Sequence, residues 1–114
     1  MTLSDKQWVF LQNLSLLIQY ARARGYKLTG GELWRSRAAA AANARSGLGI
    51  ENSLHMLRLA QDFNLFKGSK FLEKSEDHRE LGEFWKKLHP LNRWGGDFSK
   101  PDGNHYSMAH GGRA

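Results

Sequence analysis

Three potential metal ligands lie in two separate strings, and their spacing limits the folds open to this chain. The first string, S-L-H-M-L-R-L-A-Q-D, runs from Ser53 to Asp62 and offers His55 and Asp62. The second, W-G-G-D-F-S-K-P-D-G-N-H-Y, runs from Trp94 to Tyr106 and offers His105, with Asp102 three residues before it. Seven positions of straight helix rise roughly 10 Å, and the same span of strand about twice that. Ligand atoms on one zinc sit only ~2 Å from it, so neither regular geometry brings His55 and Asp62 together. The chain must curl after His55, and L-A-Q-D-F-N-L-F then reads as a strand carrying Asp62 back. The helical H-E-x-x-H arrangement is absent.

Two imidazoles and a carboxylate are a usual protein ligand set for catalytic zinc, which keeps a fourth position open. A spare carboxylate beside that position, here Asp102, is what a nucleophilic water needs as general base. The residues point to a zinc hydrolase. The sequence has no cysteine. Disulfides and thiolate ligands are therefore excluded, which leaves imidazole and carboxylate as the metal chemistry. His78, His89 and His110 lack such neighbours and read as ordinary surface or core histidines.

The strings S-x-H-x6-D, W-G-G-D-F and D-x-x-H resemble the M15 family of zinc peptidases. That family comprises D-alanyl-D-alanine carboxypeptidases and dipeptidases together with L-alanyl-D-glutamate endopeptidases of bacteriophage endolysins. The resemblance spans roughly residues 30 to 108. It implies a zinc site made by His55, Asp62 and His105, with Asp102 as catalytic acid/base. The string E-L-W-R-S resembles the segment carrying a substrate-binding arginine, which would be Arg35, a residue that could also stabilise the oxyanion. Ser53 would touch substrate, Trp94 would line the cleft, and Asp97 would orient a ligand from the outer shell. One position departs from the longer family signature: the third residue after the first histidine is often glycine and here is Arg58. The phage-type branch accepts an R-L-A run there, so Arg58 argues for that branch.

With 114 residues, the chain reads as one domain, with an N-terminal helix over 1–25 and a catalytic core over 30–108. Ser4 and Gln7 form an S-x-x-Q capping box. Phe10, Leu14, Leu17, Ile18 and Ala21 follow as one apolar stripe ending near Gly25. A second helix is expected from Arg35 through the alanine run to Gly47. Strands are expected over 59–67 and 69–72, joined at Lys67-Gly68. A third helix over 76–89 carries Leu81, Phe84, Trp85 and Leu88 on one face and stops at Pro90. Short strands over 94–98 and 105–108 would flank the P-D-G-N turn, and the terminal G-G-R-A would fray. The fold class is α+β, a small antiparallel sheet flanked by helices; the resemblance makes it of the hedgehog/DD-peptidase type.

The formal charge of +6 and a pI near 9.9 suit an anionic partner. The basic residues are scattered and no nucleic-acid-binding signature is present, so charge alone does not choose a partner. The metal constellation favours the wall: the expected partner is the peptidoglycan stem peptide, with no nucleic acid, no membrane insertion and a monomeric enzyme. No 18-residue apolar run and no secretory leader are visible. The expected setting is the cytoplasm of a bacterial host, before release onto the cell wall by a phage-type endolysin. A non-catalytic wall-binding relative and a basic nucleic-acid-binding domain are the alternatives; four intact candidate residues count against the first, and only charge supports the second.

Overall fold

The computed structural model describes residues 1–31 and 54–113. Helix α1 (Leu3–Ala23) leads into β1 (Tyr26–Gly30). A short 3-10 turn at Leu54–Leu57 precedes β2 (Ala60–Lys67) and β3 (Lys70–Leu72). A second 3-10 turn (Ser75–His78) runs into α2 (Arg79–Leu88), followed by β4 (Asn92–Trp94), a third 3-10 turn (Gly95–Asp97) and β5 (His105–Met108). The expected helix over 35–47 falls outside the described residues, as do Arg35 and Ser53.

Among the described residues, the strand pairings are all antiparallel. The order is β1-β2-β5-β4, with β3 also on β2. The long strand β2 holds the sheet together: its outer half pairs with β1 and β3, and its first three residues pair with β5. Side chains alternate across a strand, so Phe63 and Leu65 enter the core while Asp62, Asn64 and Phe66 share the opposite face. Helices α1 and α2 cover the core face. Phe10, Leu14, Leu17 and Ala21 from α1 meet Leu81 and Trp85 from α2 over Leu65, Tyr106 and Met108. The α+β class with a small antiparallel sheet and helices is the fold observed.

Several local expectations need correction. Helix α1 is capped by Thr2 and Asp5, not by Ser4 and Gln7. The Gln7 amide instead donates to the Leu57 carbonyl at 2.8 Å, tying the helix to the turn that carries His55. Ile18 is 47% exposed, because the buried face centres on Leu17, about 100° round the helix from it. Residues 94–98 are not a strand: pairing ends at Trp94, and the two glycines turn the chain. The tail is not frayed through Arg113. His110 and Arg113 bridge each other, and Lys6 Nζ lies 3.0 Å from His110 Nδ1. Strand β1 was not foreseen, since Y-K-L-T-G carries only two part-buried residues.

Candidate metal centre

His55 sits on the 3-10 turn, and the chain reverses at once after it. The Leu59 amide donates back to the Leu54 carbonyl at 3.0 Å, and Arg58 takes a positive φ of 56°. This is the curl that the spacing demanded. Non-glycine residues enter this left-handed region at a cost, since Cβ crowds the backbone. A glycine would take this backbone without that cost; Arg58 takes it with a Cβ. Strand β2 then presents Asp62 directly opposite His105, the first residue of β5.

His55 and His105 are buried, at 3% and 8% exposure. Asp62 Oδ1 lies 3.5 Å from His55 Nε2 and 3.4 Å from His105 Nδ1. Neither contact has hydrogen-bond geometry, and Asp62 Oδ1 is buried with no hydrogen-bond partner. A buried carboxylate oxygen without a partner is costly, so the arrangement calls for something at its centre. Two ligands ~2.0–2.1 Å from a tetrahedral zinc stand about 3.3–3.4 Å from each other, which matches both separations. One ligand atom from each of the three residues lies within 4.8 Å of the others. The donor set therefore fits zinc. Burial, the largest single effect, pushes the Asp62 carboxyl up; the close contacts and charges of His105 and His55 together outweigh it and bring it to about 2.

Asp102 occupies the loop before β5. Its amide donates to the Gly95 carbonyl at 2.9 Å, and its carbonyl accepts from the His105 amide at 3.0 Å. A Cβ on Gly95 would collide with the Asp102 carbonyl, so glycine permits this approach. The Asp102 side chain is exposed, yet desolvation and then the Asp62 charge raise its pKa above the ordinary aspartate value, with His105 and His55 pulling the other way. Asp102 lines an open cavity of about 270 Å³ shared with Asn64, Phe71, Glu73, Ser75 and His78.

Two expected roles do not match the geometry. Trp94 is 1% exposed and is absent from the cavity wall. Its indole N–H donates to the Gly103 carbonyl at 2.7 Å, so it supports the loop from beneath. Asp97 is turned to solvent and pairs with Lys86 at 2.7 Å instead of orienting a ligand. Two cavity residues went unnoticed as contributors. Ser75 Oγ accepts from the Gly103 amide at 2.9 Å, and buried His78 Nδ1 lies 2.8 Å from the Tyr106 hydroxyl. His78, read from the sequence as an ordinary surface or core histidine, is a buried one with a hydrogen-bond partner. Nothing in the local sequence of Ser75 signals a bond across 28 residues.

The model of a family described as D-alanyl-D-alanine carboxypeptidase matches residues 46–108. Among solved structures, the L-Ala D-Glu endopeptidase ChiX of Serratia marcescens shares the fold at a TM-score of 0.74 and 17% identity, covering 88% of this chain and 77% of that one. The vancomycin-resistance D,D-pentapeptidase VanY of a VanB-type cassette, solved as a mutant in complex with Zn(II), matches at a TM-score of 0.60 and 18% identity, covering 89% and 71%. No curated protein gives a significant sequence match.

Proposed function

The chain belongs to the M15 family of zinc peptidases, and from that membership we propose that it hydrolyses the stem peptide of bacterial peptidoglycan as a phage-type endolysin. The observation that carries this reading is the Asp62 carboxylate oxygen, orphaned between two buried imidazoles at 3.4 and 3.5 Å, with a second carboxylate beside it. His55, Asp62 and His105 would hold the metal. Zinc bound there would supply a Lewis acid and make a nucleophile available near neutral pH.

Asp102 would take the proton from the attacking water on its carboxylate and return it to the leaving amine. Its raised pKa favours that duty, because a carboxyl nearer to neutrality is a better acid in the second step. The open cavity beside Asp102 would receive the peptide, with Asn64 offering hydrogen bonds along it. Arg35 and Ser53 would complete the substrate contacts. Arg58 supports the phage-type branch, and such an enzyme would reach the wall from the host cytoplasm, acting as a single domain.

Digestion of purified sacculi by the zinc-loaded protein, read by mass spectrometry, tests this. Release of a single D-alanine identifies a carboxypeptidase; separation of L-alanine from D-glutamate identifies the endopeptidase. Failure of the zinc-loaded protein to cut any stem-peptide bond would remove the reading.

A further inference from the structure

We propose that Ser75 is a positioning residue for the reaction: through the Gly103 amide it fixes the peptide plane that aims the Asp102 carboxyl. The proposal rests on the reading of Asp102 as the proton carrier. That plane joins Asp102 to Gly103, and its two polar groups have separate anchors. The Gly103 N–H donates to Ser75 Oγ at 2.9 Å, while the Asp102 carbonyl accepts from the His105 amide at 3.0 Å. Were the first anchor lost, the plane could rotate about the second and swing the carboxyl with it. The approach is close by construction, because a Cβ on Gly103 would collide with the Ser75 backbone.

The Ser75 hydroxyl is free for this task, since its own turn is closed without it. The Lys74 amide donates to Asp77 Oδ2 at 3.1 Å, capping the turn from within. The other end of the same turn is held independently. In a 3-10 turn the side chains at i and i+3 lie on one side, so His78 points the same way as Ser75. His78 Nδ1 meets the Tyr106 hydroxyl at 2.8 Å, and Tyr106 is wholly buried. Ser75 and His78 thus grip Gly103 and Tyr106, the residues that follow Asp102 and His105. Because His78 anchors the turn to β5, removing the Ser75 hydroxyl leaves the turn in place and frees only the Gly103 N–H, while the bonds from Asp102 to Gly95 and from Trp94 to Gly103 keep the loop itself in position. The Asp62–His105 pairing across the sheet does not depend on Ser75.

The test uses zinc-loaded Ser75→Ala and Ser75→Thr, measuring kcat and KM on a soluble stem peptide that the parent protein cleaves, with metal stoichiometry and Tm alongside. A general base displaced by a fraction of an ångström to 1 Å loses rate steeply, so Ser75→Ala should lose about tenfold to a hundredfold in kcat. KM should stay within about twofold, zinc should remain bound, and Ser75→Thr, which keeps the hydroxyl, should recover most of kcat. Three results overturn the proposal: parental kcat in Ser75→Ala, a loss that tracks loss of zinc, or equal impairment of the Ala and Thr variants. Asp102→Ala, run in parallel, separates the two levels. If Asp102→Ala turns over normally, the reading of Asp102 is wrong and this proposal falls with it. If Asp102→Ala is inactive while Ser75→Ala is not, only the positioning role fails.

Discussion

Asp62 and His105 are direct register partners on β2 and β5, with Asp62 Oδ1 3.4 Å from His105 Nδ1. A strand pair is a rigid frame, so two of the three candidate ligands are set by backbone hydrogen bonding. The third, His55, arrives on a tight turn at the entrance to the same strand. A site built on paired strands keeps its geometry better than one built on loops.

The first prediction concerns the metal. The protein should bind one zinc, and His55→Ala or His105→Ala should abolish that binding and the activity together. Metal bound only to the native state stabilises it by mass action, about 2.7 kcal/mol at a hundredfold excess over Kd. Thermal melts with and without chelator should therefore differ for the parent protein and coincide for both variants. Full activity in a protein verified as metal-free would remove the zinc assignment.

Asp102 and Asp62 should separate cleanly. Asp102→Ala should keep zinc while losing ~10²–10⁴ in rate, the usual contribution of a general acid/base. Asp62→Ala removes one of three protein ligands and should lose metal and activity together. Metal stoichiometry and turnover on the two variants decide it: zinc lost from Asp102→Ala but kept by Asp62→Ala would exchange the two roles.

The chemistry of this site was legible in the sequence because it depends on residue types at fixed offsets. His55 and Asp62 could meet only if the chain reversed between them, and Arg58 with its positive φ is where it reverses. The supports were not legible, since they are contacts between distant segments. Trp94 looked like a cleft residue because an aromatic beside a glycine pair suits either role, and only packing shows it buried under Gly103. Ser75 and Gly103 meet through backbone proximity, which leaves no trace in composition. Strand β1 does alternate, with part-buried Tyr26 and Leu28 set against exposed Lys27 and Thr29, but the alternation covers only four residues before Gly30 and neither apolar side chain is fully buried.

Acid should weaken the metal-free protein through His78. Burial lowers its pKa from 6.5 to about 4 in the folded state. Between those values the unfolded chain binds a proton that the folded chain refuses, so stability is full above about 6.5 and falls as pH drops toward 4. The loss over that window is on the order of 3 kcal/mol for so buried a ring. Asp62 acts lower: its depressed pKa gives stability that is full above 3.8 and lost only as pH falls toward about 2. Urea melts of chelated protein from pH 4.5 to 7.5 should thus slope for the parent and flatten for His78→Gln. Equal slopes would show that His78 does not control this window.

The final prediction isolates the backbone at Arg58. Its φ of 56° suits glycine and opposes a β-branched side chain, whose Cβ substituents crowd the carbonyl. Arg58→Gly and Arg58→Val both lose the guanidinium and everything it touches, so the difference between them reports backbone conformation alone. The left-handed region costs an L-residue roughly 1–2 kcal/mol, against the roughly 0.5–1 kcal/mol that glycine's freedom costs in the unfolded chain. Arg58→Gly should therefore be the more stable of the pair, by up to about 1.5 kcal/mol. Because Arg58 lies between His55 and Asp62, Arg58→Val should also weaken zinc binding relative to Arg58→Gly. Chemical denaturation and zinc titration of the two variants measure both effects. A valine variant as stable as the glycine variant, with equal zinc affinity, would mean that the turn does not hold its left-handed residue in solution.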